Sequence, residues 1–381
     1  MATRGYQVMV VAAAPLYPTW QRQVGYRYGW YSNETRNGVV IRRVPTYVPK
    51  NTGFGQRVIY ELVFCIMSLP LLIQAALKGI DCLVVTVPPL VATWAMILPI
   101  RRKTAIVKDL QVDIADKMGF IRHQGLLDFL YRIERLLLGR ADLVTAVSRN
   151  MLRKIEKKGL KRPKIVYFPD WVDTERLIET PRAESEALRE RLGVPLDKTV
   201  VGYSGNLARK QGIELIVDIA RCFDEKGRMD VHFLVCGDGP AKPDLERLVA
   251  ASGLANITLG PLQPEPDLPA LLSAIDVNLV LQKDEVSDLV MPGKMFNVMS
   301  CSRPLVVTAP AGSAIDQVIE ESGAGYRIAR KQIDRIESAI EELCDSAELR
   351  AEMGRRGREW VIVNMAKRAV LDRFYSDAIE V

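Results

Sequence analysis

The feature that most constrains the fold is an alternation along the whole chain. Short runs rich in Val, Ile and Leu recur, and each is separated from the next by a stretch with helical spacing. In the first half the runs are YQVMVVA, VVIRRV, DCLVVTV, TAIVKD, DLVTAV and KIVYF; in the second they are TVVGYSG, VHFLVCG, NITLG, DVNLVL, PLVVTA and GYRIA. Strands alternating with helices predict an α/β fold, with parallel sheets covered on both faces. At 381 residues the chain is long enough for two such domains.

The stretch 170–198 is charged, has no strand-like run and contains Pro181 and Pro195, so it reads as the connection between domains. The predicted organisation is a first domain over 1–172, a linker over 173–195, a second domain over 196–355 and a C-terminal helical segment over 356–381. Trp360, Met365, Val370 and Phe374 fall on or near one stripe of that last segment, which predicts one or two helices. Cys65, Cys82, Cys222, Cys236, Cys301 and Cys344 are scattered, with no CxxC pair and no metal-ligand spacing. They read as reduced core residues of a cytoplasmic protein. The opening MATRGYQVMVVAAAPLYP lacks the uninterrupted apolar core of a signal peptide.

Charge is divided unevenly. Through Val172 there are 26 Lys and Arg against 11 Asp and Glu, a net +15; the remainder holds 26 against 35, a net −9. A basic half joined to an acidic half predicts that the first half meets something anionic. Nucleic acid is a poor candidate, because basic and aromatic residues are seldom interleaved and no nucleic-acid-binding signature is present. An anionic membrane surface or a phosphorylated acceptor fits better.

Two stretches, 58–77 and 83–100, approach the ~20 residues that span a bilayer. Glu61, Pro70 and Gln74 interrupt the first, and Pro88, Pro89 and Pro99 the second, so a buried helix, a strand and a second helix are expected. The RRK at 101–103 and LLDFLYRIERLLLGR at 126–140, with Arg132, Arg135 and Arg140 among its apolar positions, leave two readings open: a helix lying on a membrane, or an ordinary packing helix.

Ligands of open α/β sheets bind outside the carboxyl ends of the strands. In the second half one strand ends in Ser204, Gly205 and Asn206, with Arg209 and Lys210 following. The next ends in Gly237, Asp238, Gly239 and Pro240, where the absence of side chains permits close approach. Farther on, Pro292 and Gly293 precede a helix whose first turn carries Lys294, again a helix N-terminus with a cation. Any one of these is an ordinary strand-to-helix turn. Three anion-friendly strand ends in one domain suggest a diphosphate.

Taken in order, these stretches resemble the GT-B fold glycosyltransferases of family 4, and among them the bacterial exopolysaccharide transferases of the colanic-acid type. The resemblance is carried by AAAPLYPTW, RRVPTYVPK, KDLQVDIADKMG, ADLVTAVSRNM, FPDWVDTERL, GYSGNLARKQG, FLVCGDGP and PGKMFNVMSCSRP. It implies two Rossmann-like domains facing a cleft, the C-terminal one gripping a nucleotide-diphosphate sugar and the N-terminal one holding the acceptor. It also implies a retaining sugar transfer to a saccharide, lipid-linked on the inner face of the plasma membrane, during exopolysaccharide or cell-surface glycan synthesis.

By the same resemblance, Gly205, Asn206, Arg209 and Lys210 meet the donor diphosphate, with Arg209 and Lys210 neutralising the leaving group. Gly237 and Asp238 lie near the nucleotide, and Leu262 near the base. Gly293 and Lys294 meet the sugar or diphosphate, and Asp109 and Asp113 orient the sugar or the incoming hydroxyl from across the cleft. No metal and no cofactor is implied, cations and a helix dipole serving instead; the sequence has no DxD motif, and His123 and His232 are its two histidines. His232, inside an apolar run, reads as structural.

The sequence departs from the family in two places. Many relatives carry glutamates eight residues apart where this chain has Leu289 and Asn297, so Asn297 is left to hydrogen-bond the sugar. The strand, Gly-rich turn and helix that usually open the first domain are absent before GYQVMVVAAAPLYP. A start recorded too late, a partner chain supplying the piece, and a non-catalytic nucleotide-sugar-binding or scaffold protein would each explain this. An epimerase acting on a sugar nucleotide alone is a third class, requiring its own acid/base carboxylates.

Overall fold

The computed structural model describes residues 1–16, 20–49, 54–88, 90–117, 119, 121, 123–283 and 291–378. The chain divides into two compact units, one of residues 1–146 and 151–167, the other of 147–150 and 168–381.

The first unit contains β1 (Val8–Ala13), β2 (Ser32–Arg36), β3 (Val39–Val44), α1 (Phe54–Leu77), β4 (Cys82–Val87), a 3-10 helix (Leu90–Ile97), β5 (Arg102–Val107), α2 (Gln111–Lys117), α3 (Gln124–Leu138), β6 (Leu143–Ala146), α4 (Arg149–Lys157) and β7 (Lys164–Tyr167). Its strands form two sheets, one in the order β1-β3-β2 and one, wholly parallel, in the order β4-β5-β6-β7. Every run expected to be a strand is one. The sequence reading missed β2, a polar strand antiparallel to β3 with Arg36 opposite Val39. Its cause is the two-residue turn at Asn37 and Gly38, with φ of 49° and 76°, the geometry that Asn-Gly favours in hairpins.

α1 packs on β1, β3 and the 3-10 helix, burying Cys65, Ser68 and Ala75. It is not the buried helix expected from sequence, because its opposite side is exposed. β1 and β4 each have one strand neighbour among the described residues, and both expose apolar side chains: Met9 and Val10 on β1, Val84 on β4.

The second unit contains α5 (Arg182–Leu192), β8 (Thr199–Asn206), α6 (Leu215–Glu225), β9 (Val231–Asp238), α7 (Lys242–Ser252), β10 (Ile257–Gly260), α8 (Leu268–Ala274), β11 (Val277–Val280), α9 (Gly293–Ser300), β12 (Leu305–Thr308), α10 (Ala314–Ser322), β13 (Gly325–Ile328), α11 (Ile333–Asp345), α12 (Ala347–Met365) and α13 (Lys367–Ala378). One six-stranded parallel sheet runs in the order β10-β9-β8-β11-β12-β13. The strands read as unbroken apolar runs because helices cover both faces. Tyr203, Phe223, Phe233 and Leu279 sit in the core on one face; Leu272, Phe296, Val307 and Met299 sit in the core on the other.

The segment expected as a linker is largely structured. α5 packs on α8, Leu188 is buried, and Arg189 donates to the Ala274 carbonyl and to Asp276 (2.8 Å each). The C-terminal segment forms two helices, as the apolar stripe predicted. Val172 bridges to Ala366, and the Phe168 ring lies 4.4 Å from that of Phe374 on α13, so the chain from Phe168 onward belongs to the second unit.

Candidate functional site

The order β10-β9-β8-β11-β12-β13 reverses direction between β8 and β11, and the crevice beyond the carboxyl ends of strands at such a point is where this sheet type holds a ligand. Gly205, next to last in β8, has a φ of 124° and pairs with Gly237 of β9. A Cβ on Gly237 would lie 2.0 Å from the Gly205 carbonyl oxygen, and one on Gly239 would lie 2.6 Å from Asn206 Oδ1. The two strand ends therefore approach closely only because these positions carry no side chain. Asp238, exposed at the tip of β9, accepts from the Gly239 N–H (2.9 Å).

Lys294 supplies the cation. It is the second residue of α9, whose first residue, Gly293, follows Pro292. Its ammonium nitrogen lies 3.6 Å from the centroid of the Tyr203 ring, out of solvent and without a hydrogen-bond partner among the described residues. Its stem lies against the Gly205 turn, where a Cβ on Gly205 would sit 3.9 Å from Lys294 Cδ. Burial holds its pKa well below the ordinary lysine value of 10.5. The Tyr203 hydroxyl, its pKa raised by burial, donates to the Asn206 carbonyl (2.8 Å), fixing the ring beneath the lysine. A buried nitrogen with open donor positions among the described residues, at the N-terminal turn of a helix, has the chemistry to receive an anion.

Asn297 lies one turn farther along α9, half-buried. Leu262, two residues beyond β10, is 51% exposed, which leaves its side chain available to a flat ligand.

The expected cation pair is placed differently. Arg209 lies in a 3-10 turn after β8, but its guanidinium points to Asp244 on α7 (3.2 Å), in a largely exposed ion pair. Lys210 shares that turn; its side chain lies outside the described residues, as does Leu289. The turn closes at Gly212, φ 63°, where Arg330 donates to the Gly212 carbonyl (2.8 Å) and to Glu214 (3.1 Å). A Cβ on Gly212 would lie 2.5 Å from the Arg330 guanidinium, which a flexible side chain can relieve, so it is the left-handed φ that favours glycine here.

Two residues near the carboxyl ends of these strands escaped the sequence reading. Tyr203, within β8, contributes a ring face that only the fold brings under Lys294. Gln282, two residues beyond β11, exchanges hydrogen bonds with Thr308, yet its buried Oε1 lacks a partner among the described residues. Its signal was visible as a polar residue closing the apolar run DVNLVL.

In the first unit, Asp109 lies two residues beyond β5, at that strand's carboxyl end. Asp113, on α2, was expected to orient sugar or hydroxyl, but Lys158 binds it (2.7 Å). Lys158 also donates to the buried Glu134 and lies over the Tyr131 ring, while Tyr131 donates to Asp116 (3.1 Å). Desolvation raises the Glu134 pKa, against the pull of Lys158. Asp113 thus closes an ion-pair network within its own unit. Of the histidines, His123 caps α3, and His232 is buried against the Thr258 hydroxyl (2.9 Å), the structural role expected of it.

Two family models match the chain in succession. Residues 1–171 match a glycosyl transferase 4-like domain, and residues 184–360 match the glycosyl transferases group 1 domain. The putative colanic acid biosynthesis glycosyl transferase WcaI of Escherichia coli (strain K12) is 30% identical, over 99% of this chain and 93% of its own length. The chain belongs to the group 1 glycosyltransferases. An alpha-D-kanosaminyltransferase of Streptomyces kanamyceticus is 29% identical over 53% of this chain, which spans about half of that relative.

Among solved structures, sucrose-phosphate synthase from Thermosynechococcus elongatus superposes with a TM-score of 0.75 at 15% identity, covering 99% of this chain and 90% of its own. Anabaena HepE in complex with UDP-glucose gives 0.65 at 16% identity, covering 86% and 89%. At these identities the likeness shows the fold, that of the GT-B glycosyltransferases.

Proposed function

We propose that this glycosyltransferase takes its sugar from a nucleotide-diphosphate donor held at the β8–β11 switch point of the second unit. The observation that carries the reading is the Lys294 ammonium at the N-terminus of α9, against the Gly205 turn, buried without a hydrogen-bond partner among the described residues. Cleaving the bond between a sugar and a diphosphate places negative charge on the departing phosphate, and fixed cations and backbone N–H groups stabilise it without reorganising. Lys294 serves that charge directly. Arg209 and Lys210 join it once Arg209 exchanges Asp244 for phosphate; an exposed ion pair, worth at most ~1 kcal/mol, is a small barrier to the exchange. Gly237 and Asp238 border the nucleotide, Leu262 the base, and Asn297 a sugar hydroxyl.

The acceptor is a saccharide, lipid-linked at an anionic membrane surface, and the anomeric configuration is retained, in synthesis of an exopolysaccharide or cell-surface glycan. The name of the E. coli relative and the +15 charge of residues 1–172 support this. Incubation with a UDP-, GDP- or ADP-sugar and a synthetic lipid-diphosphate-linked saccharide, with the product's anomeric configuration read by NMR, tests it. A single retained linkage is expected; hydrolysis without transfer, or an inverted product, refutes the acceptor or the stereochemistry respectively.

One observation favours a second reading, a non-catalytic donor-binding or scaffold protein. β1 and β4 each have one strand neighbour among the described residues, which suits a further strand supplied by another segment or a partner chain. Donor binding without turnover, with turnover restored by a peptide that pairs there, distinguishes an incomplete enzyme from a scaffold.

A further inference from the structure

α1 has an exposed apolar side that runs its full length. Val58, Leu62, Ile66, Ile73 and Leu77 are all exposed, Ile66 by 55% and Leu77 by 84%. At 100° per residue these five positions fall within an arc of about 100°, along a helix about 36 Å long. Residues 55–77 are long and apolar enough to cross a membrane, but packing argues against a span. The opposite side of α1 is covered by β1, β3 and the 3-10 helix; Gln74 accepts from Arg42 (2.9 Å), and Glu61 accepts from Gln111 (3.0 Å). A helix tied to a sheet on one side and bare on the other suits an interface.

The same apolar character continues beyond α1. The 3-10 helix, against which both α1 and α3 pack, exposes Ile97 by 56%. α3 exposes Phe129 by 57% and Leu136 by 58%, with Arg132 and Arg135 exposed on the same helix. Arg57 on α1 and Arg101 before β5 are exposed as well. Apolar residues bordered by arginines are the composition by which a protein lies in the headgroup region of an anionic bilayer.

We infer that the exposed side of α1, with Ile97 and the outer side of α3, is a docking surface that seats the first unit in the headgroup layer of an anionic membrane. The inference rests on the lipid-linked acceptor reading for its purpose, and on the exposed residues and their charge for its location. Docking there would hold the first unit at the depth where a lipid-linked saccharide presents its sugar.

The test is sedimentation of the full chain with vesicles of phosphatidylcholine alone and of phosphatidylcholine mixed with phosphatidylglycerol. Binding to the mixed vesicles is expected, weakened by salt and reduced at least tenfold by Ile66→Glu, whose site is already exposed and whose folding is checked by an unchanged melting temperature. Phe129→Glu provides a second site on α3. Equal binding by wild type and both variants, or no binding to mixed vesicles, overturns the inference. A dimer in solution that Ile66→Glu dissociates, without vesicle binding, overturns it in favour of a second copy on this face. Nucleoside-diphosphate affinity, read on the same variants, reports on the second unit separately. Vesicle binding without donor binding would thus sink the proposed function and leave the docking surface standing.

Discussion

Replacing Lys294 with methionine separates a functional lysine from a structural one. The ammonium is buried over the Tyr203 ring, with no hydrogen-bond partner among the described residues. A polar group left unsatisfied inside a protein costs about 1–3 kcal/mol, and methionine fills a similar volume without that cost. Lys294→Met should therefore raise the stability of the ligand-free protein by about 1–3 kcal/mol, or about 2–10 °C in melting temperature for a domain of this size. The same change removes a charge-assisted hydrogen bond to phosphate, worth about 1.5–3 kcal/mol, and should weaken donor binding by roughly 10- to 200-fold.

A pH signature accompanies it. Because the folded-state pKa is depressed, the unfolded chain binds more protons between that value and 10.5, so wild-type stability rises with pH across the window. Lys294→Met should flatten the rise. Differential scanning fluorimetry across pH, with calorimetric titration of the nucleoside diphosphate, reads all three effects. A variant that melts lower and binds the nucleotide unchanged would refute the assignment.

Other perturbations test neighbouring parts of the structure. Asp244→Ala releases Arg209 from its ion pair, and donor affinity should improve by a few-fold, in keeping with the ~0.2–1 kcal/mol of such pairs; weaker binding would place Asp244 itself on the ligand. Gly237→Ala puts a methyl 2.0 Å from the Gly205 carbonyl, and urea unfolding of the second unit should show a loss of about 1–3 kcal/mol. Lys158→Met strands Glu134 in the first unit, and a loss of about 3–5 kcal/mol is expected there, with nucleotide affinity unchanged. Burial lowers the His232 pKa to about 4, so the unfolded state binds more protons between that value and 6.5, and stability falls as pH drops through this window. Between pH 7 and pH 5 the loss should be about 2 kcal/mol, and His232→Gln should abolish it.

The sheet of the second unit was legible because strands buried on both faces must be apolar throughout, and VHFLVCG or PLVVTA can hardly be read otherwise. β2 was illegible by that rule: SNETR carries no apolar signal, and only the Asn37-Gly38 turn announces the hairpin. α5 was hidden by its charge, since Leu188 and the stem of Arg189 find their partners in α8 and Asp276, more than 80 residues away along the chain. At the site, the glycines and Lys294 could be read at strand and helix ends, where chain chemistry is local. The partners that define their state could not. Tyr203 beneath Lys294, Asp244 beside Arg209 and Lys158 on Asp113 are meetings between elements far apart in sequence.

The most direct test of a donor site in the second unit is calorimetric titration of the purified chain with UDP, GDP, ADP and their sugars, with release of nucleoside diphosphate followed in parallel. One nucleotide family should bind saturably, protect the protein against thermal unfolding in proportion to its concentration, and lose most of its affinity in Lys294→Met. If no nucleotide binds, or if binding survives that substitution undiminished, the anion receptor at the Gly205 turn is not the donor site.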